Sequence, residues 1–291
     1  MMRKFLKSLG KAVLYLLFVF GMQLIVSFVF MTVVTVSMMS SGNADMTSLE
    51  SDLMGYTTII TLLSNALSLI FILLFFRIRK KKLFAEVQLH KCSVKQILAV
   101  GLFGISFSYF SGWLIEIIPF PESMMDSFIA SHDMLSMGNP FVNFISVAIL
   151  APIVEEVFFR GLIYTRLKAG MNMVVATILS AIMFGVMHGE IIWILYAFVV
   201  GIMLVWVFET TNSLLPCIVI HIANNSLSQL TENMPDNSVG MEYVILTVSL
   251  VVLVISTIWM IKISVRKDSG QMMEELDLTE AEAKEYFEKV N

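Results

Sequence analysis

Apolar runs of about 20 residues, the length needed to cross a bilayer, recur along almost the whole of this 291-residue chain. In hydrocarbon every backbone N–H and C=O must find a partner within the protein, which leaves only helices or a closed barrel. The runs here are continuous and read as helices. The expectation is an all-α polytopic membrane protein. Composition agrees, with 57% hydrophobic and only 14% charged residues, far from the balance of a soluble domain.

Eight runs read as spans, at about 12–38, 57–76, 97–118, 140–165, 173–187, 191–208, 216–230 and 243–263. The first follows Arg3, Lys4, Lys7 and Lys11, as a signal peptide would. It is too long for one and no small-residue cleavage site closes it, so it reads as a retained span. The chain has 19 basic residues. Apart from Arg160, which lies inside the fourth run, all of them fall on one side. Four precede the first span, seven follow the second, two follow the fourth and five follow the eighth. By the positive-inside rule both termini are cytoplasmic, and the expected location is the cell membrane, multi-pass. The expected organisation is three N-terminal helices in 1–138 and a core of helices four to seven in 139–232. An eighth helix in 233–267 and an acidic cytoplasmic tail in 268–291 complete it. In that tail Thr279 and Glu282 have the spacing of a capping box opening a short polar helix. Cys92 and Cys217 give neither a disulfide framework nor metal-ligand spacing.

The fourth run breaks the apolar pattern. Within it the stretch APIVEEVFFRGLIYTR holds Glu155, Glu156 and Arg160, and charges at such depth cost about 2.5–3.5 kcal/mol each on insertion scales. On a helix Glu156 and Arg160 are four apart and share a face, where they can neutralise each other. Glu155 is rotated by about 100° and has no such partner. A carboxylate left alone in a low-dielectric site is suited to proton transfer.

Other polar groups stand in the spans of the second half: His188 at a helix end, then His221, Asn224 and Asn225. Singly, each reads as a helix–helix hydrogen bond. Jointly they offer more. Phe184 and His188 are four apart, as are His221 and Asn225, so each pair projects from one face. Two imidazoles, a carboxylate and an amide on three spans are the inventory of a hydrolytic site. Carboxylate or neutral imidazole can take a proton from water, and amide or imidazole N–H groups can hold an oxyanion.

Three short motifs carry a resemblance. Glu155-Glu156-Val157-Phe158-Phe159-Arg160 is EExxxR, Phe184-Gly185-Val186-Met187-His188 is FxxxH, and His221-Ile222-Ala223-Asn224-Asn225 is HxxxN. In this order, each in its own apolar run, they resemble the family of CAAX proteases and bacteriocin-processing enzymes (CPBP, or Abi). That family includes the type II CAAX prenyl endopeptidases, and the resemblance covers about 139–230. It implies an intramembrane endopeptidase in which Glu155 activates water with help from His188. His221 and Asn225 would stabilise the oxyanion, and Glu156 and Arg160 would hold the geometry of the site. No serine or cysteine nucleophile is implied.

Members of that family have also been described as metalloproteases, in which case Glu155, His188 and His221 would be zinc ligands. The chain lacks HExxH, and four-coordinate zinc would consume the groups needed as base. The expectation is therefore a metal-free reaction with no cofactor. Expected partners are membrane lipid and a peptide or protein substrate, which the family allows to be lipid-modified, with no nucleic acid. Two other classes compete: a non-catalytic bacteriocin-immunity or regulatory protein of the same fold, and a transporter using the carboxylates as a proton relay. Intact motifs weigh against the first, and the lack of clear repeats or paired broken helices against the second.

One count resists the enzyme reading. At about 1.5 Å per residue, Glu155 lies roughly 22 Å in from Pro140, on the outer side. The same count from Met173 carries His188 nearly to that outer side. The two meet only if helix limits shift or a helix is tilted or broken.

Overall fold

The computed structural model describes residues 2–40, 55–231 and 239–275, with 239 and 264–275 described by their backbone alone. Among the described residues it is all helical, the architecture of a polytopic membrane protein. The main helices are α1 (Met2–Ser40), α2 (Thr57–Ile78), α3 (Val94–Ile117), α4 (Glu122–Ser136), α5 (Pro140–Lys168), α6 (Met173–Val186), α7 (Ile191–Thr211), α8 (Leu214–Thr231) and α9 (Val239–Glu275). Six of them, α1, α2, α3, α5, α7 and α9, are long and apolar enough to cross a membrane; α6 is apolar but has only 14 residues.

Several ends follow from local chemistry. Ser93 and Gln96 form a capping box at the start of α3. Asn139 accepts from the N–H groups of Phe141 and Val142, ahead of a proline that has no N–H to satisfy. The Asn172 side chain caps α6 by accepting from Val175 N–H. Between α6 and α7, Gly189 takes a φ of +78°, a conformation natural to glycine. Glu190 then accepts from the N–H groups of Ile192 and Trp193 to start α7.

Helix α5 is the axis of the molecule. It packs against α1, α2, α6, α7 and α8, and all eight residues 157–164 are buried. A helix apolar on every side belongs in the middle of a bundle. Around it α3 packs closely on α8 and α9, and α6 pairs with α7. The α3–α8 approach depends on Gly104, where a Cβ would stand 2.6 Å from the Ile220 carbonyl oxygen.

The structure departs from the sequence reading in three places. The acidic, Met-rich stretch after Pro121 is a helix, α4, whose half-buried Met125, Phe128, His132 and Leu135 recur at helical spacing. Its serines and aspartates mask that stripe in composition. Helix α1 begins at Met2, so its basic residues belong to the helix. The eighth run continues as helix to Glu275, into the segment read as an acidic tail. Residues 41–54 and the expected capping box at Thr279 and Glu282 lie outside the described residues. Neither Cys92 nor Cys217 forms a disulfide.

Candidate active site

Helix α5 is not a uniform α-helix. Phe144–Leu150 and Val157–Tyr164 are π-helical, and the six residues Ala151–Glu156 between them are α-helical. Widened turns of this kind are rare and concentrate at functional sites. The proline in this stretch supplies one cause. Pro152 has no N–H, so an upstream carbonyl loses its donor and the register opens. The Ala151 N–H accordingly reaches back five residues to the Ser146 carbonyl.

The two glutamates sit at the end of the short α-helical piece and fare differently. Glu156 is fully buried and Arg160 is 1% exposed, with Nη1 donating to Glu156 Oε1 at 2.7 Å. Arg160 also reaches the Gly201 carbonyl on α7 at 3.5 Å, and its guanidinium lies 4.3 Å from the centre of the Phe184 ring. Glu156 Oε2 and Arg160 Nε have no hydrogen-bond partner. Glu155 keeps 27% of its side chain exposed. The paired carboxylate is sealed in and the other one is accessible.

Helix α8 delivers its histidine to both. His221 Nδ1 stands 2.8 Å from Glu156 Oε1, and its Nε2 is 3.6 Å from Glu155 Oε2. Glu156, as the partner of Arg160, is an acceptor there, which puts the hydrogen on Nδ1. Asn225 lies one turn further along α8. Its Nδ2 donates to the Val147 carbonyl at 3.1 Å and its Oδ1 accepts from Asn224 Nδ2 at 3.1 Å. One N–H of Asn225 is left over.

His188 lies on the turn just beyond α6, where its Nδ1 donates to the Phe184 carbonyl at 3.0 Å. That fixes the tautomer with the Nε2 lone pair free. Phe184 connects His188 to the cluster. Its ring meets His188 edge to face at 4.9 Å, His221 at 6.0 Å and Phe159 at 5.0 Å. Helix α6 stops at Val186, and the widened turns of α5 advance less along the axis than α-helical turns would. Both shorten the separation counted from the sequence.

All six residues singled out from the sequence therefore belong to one neighbourhood. Glu155, Glu156, Arg160 and His221 form one connected cluster, His188 joins it across the Phe184 ring, and Asn225 stands on the same helix as His221. The sequence reading missed Tyr196 on α7, whose hydroxyl donates to Asn224 Oδ1 at 3.1 Å. The signal was present: a tyrosine hydroxyl inside an apolar span needs a partner. Among the described residues no three His, Cys, Asp or Glu side chains are grouped so that they could hold a metal ion. The proposed zinc ligands Glu155, His188 and His221 thus do not fit the metal as a set.

The family model described as Type II CAAX prenyl endopeptidase Rce1-like matches residues 137–227. This part of the chain is similar to that family. The Rce1-like segment runs from the turn before α5 to Leu227 on α8 and contains all three motifs. The N-terminal helices α1 to α4 and the C-terminal α9 lie outside it. No curated protein and no solved structure matches the chain.

Proposed function

We propose that this protein is an intramembrane endopeptidase that hydrolyses a peptide bond with water activated by Glu155. The observation that carries the reading is the split between two neighbouring glutamates inside an Rce1-like segment. Glu156 is buried against Arg160 and His221, and Glu155 is open at the edge of the same cluster.

The chemistry follows from those positions. Glu155 takes a proton from water as the oxygen bonds to the scissile carbonyl carbon, and His188 orients that water through its free Nε2. The carbonyl π electrons move onto oxygen. The leftover N–H of Asn225 receives that charge, together with His221 when its Nε2 carries a hydrogen. Collapse of the intermediate breaks the C–N bond, and the proton held by Glu155 passes to the departing amine. Glu156 and Arg160 hold His221 in place throughout. No metal enters the scheme. The substrate is a peptide or protein segment that reaches the site from the bilayer, a class that includes lipid-modified chains. The setting is the cell membrane, with eight spans and both termini cytoplasmic.

The test is a cleavage assay on detergent-purified protein with a peptide library, comparing wild type with Glu155→Gln. Products formed by wild type and absent with the folded variant support the reading. Equal cleavage by both ends it.

A further inference from the structure

The side chains of Tyr196, Asn224 and Asn225 form a hydrogen-bonded chain that ends on the Val147 carbonyl of α5. Each of its three links is 3.1 Å long. Amide groups can be turned either way about their last bond, so the direction of such a chain has to be argued from its ends. Here one end decides it. A carbonyl oxygen can only accept, so the Asn225 atom facing Val147 is Nδ2. The other Asn225 atom is then Oδ1, which can only accept, and the Asn224 atom facing it is Nδ2. That leaves Asn224 Oδ1 facing Tyr196, whose hydroxyl must donate. The chain runs one way, from Tyr196 to Asn224 to Asn225 to Val147.

The acceptor at its end is a product of the broken register of α5. Val147 lies in the π-helical stretch Phe144–Leu150, where the Ala151 N–H pairs with Ser146 five residues back. In that register the donor for the Val147 carbonyl would be residue 152, a proline without an N–H. The carbonyl is thereby available to a side chain from α8. At the other end, Tyr196 is the one hydroxyl-bearing residue within the apolar part of α7, and Trp193 packs edge to face on it at 5.9 Å. Asn224 is itself buried, and Ser108 on α3 donates to its backbone carbonyl at 2.9 Å. Four helices thus hold the chain.

We infer that Tyr196 and Asn224 are positioning residues that set the side-chain orientation of Asn225, so that its remaining N–H is presented to the developing oxyanion. The inference rests on the endopeptidase reading for what Asn225 does. For how Asn225 is held it rests on the hydrogen bonds alone. A free amide can rotate to put its oxygen where the oxyanion forms, which would repel it. With Oδ1 engaged by Asn224 and one N–H engaged by Val147, that rotation is blocked. Neither Tyr196 nor Asn224 needs to touch the substrate for this.

Tyr196→Phe removes the first donor and keeps the ring, so folding is preserved. It is expected to lower kcat by roughly 3–10-fold with KM unchanged, less than the 10²–10³ lost with an oxyanion donor itself. Asn224→Ala cuts the chain one link nearer and should lower kcat at least as far. The deciding comparison is a double-mutant cycle, because a positioning effect has to vanish once its target is gone. In an Asn225→Ala background Tyr196→Phe should change kcat no further. A loss of the same factor in both backgrounds, or no loss in either, overturns the proposal.

A second readout does not need turnover. In protein labelled with ¹⁵N-asparagine, the Asn225 side-chain amide signals are identified by their absence in Asn225→Ala. They should move in Tyr196→Phe, and unmoved signals sink the relay. If wild type and Glu155→Gln alike cleave nothing, the endopeptidase reading has failed, and these signals alone decide whether the relay orients Asn225.

Discussion

His221 Nδ1 lies 2.8 Å from Glu156 Oε1, the same oxygen that receives Arg160 Nη1 at 2.7 Å. One carboxylate oxygen therefore ties α8 to α5 and fixes the imidazole so that its other nitrogen looks toward Glu155. The cluster gives two adjacent glutamates of identical chemistry different surroundings. Glu156 is buried against Arg160 and His221, and Glu155 stays accessible.

This separation predicts different failures. Glu155→Gln should abolish turnover and leave thermal unfolding in detergent essentially unchanged, because only an accessible proton acceptor is lost. Glu156→Gln and Arg160→Leu should each lower stability by about 3–5 kcal/mol, since each leaves a buried partner uncompensated. Thermal melts read beside turnover check both. A stable Glu156→Gln together with an unstable Glu155→Gln would reverse the assignment.

Much of this site was legible because charge in an apolar run is costly, and the i, i+4 spacing of Glu156 and Arg160 names its own compensation. What sequence could not give was the register of α5. Counting at constant rise set His188 and Glu155 at different depths, since nothing in a run of apolar letters announces π-helical turns at Phe144–Leu150 and Val157–Tyr164. Pro152 was the visible cause, yet its consequence depends on which carbonyl loses a donor. Helix α4 was lost for a different reason. Its inward face includes a histidine and leans on Trp193, with Ser131 Oγ accepting from Trp193 Nε1 at 3.1 Å. A hydrophobic pattern does not register such contacts.

A second prediction concerns pH and the C-terminal end of α5. Hydrogen bonds from Arg166 and then Lys81 hold the Glu86 carboxyl below the ordinary carboxylate range, against the opposing effect of burial. A pKa lower when folded means stability that is present above the unfolded value of about 4.3 and lost as pH falls through the folded value. The pair is partly exposed, so its contribution is at most about 1 kcal/mol. Melting temperatures of wild type and Glu86→Gln should therefore differ most near pH 7 and converge below about pH 4. A gap that widens on acidification contradicts the assignment.

A third prediction is topological. The one-sided distribution of basic residues implies that Lys81, after α2, and Ser123, in α4, face opposite sides of the membrane. Single cysteines at these positions, in a background with Cys92 and Cys217 replaced, should react with an impermeant reagent from opposite sides in intact cells. Labelling of both from one side removes the eight-span arrangement with cytoplasmic termini.

The last prediction separates a metal-free site from a zinc site. The two histidines each turn Nδ1 to a protein acceptor, Glu156 for His221 and the Phe184 carbonyl for His188. That pattern alone is compatible with either chemistry, because metal-bound imidazoles are anchored in the same way. The difference lies in convergence: among the described residues no three potential ligands are grouped to hold an ion. EDTA should then leave cleavage intact, and elemental analysis of the purified protein should find zinc far below one per chain. Asn225→Ala should still reduce turnover by about 10²–10³ with little change in substrate affinity, the cost of removing one oxyanion donor. One firmly bound zinc per chain, with activity lost on its removal and regained on its return, would replace Glu155 as the activating group with a metal-bound water.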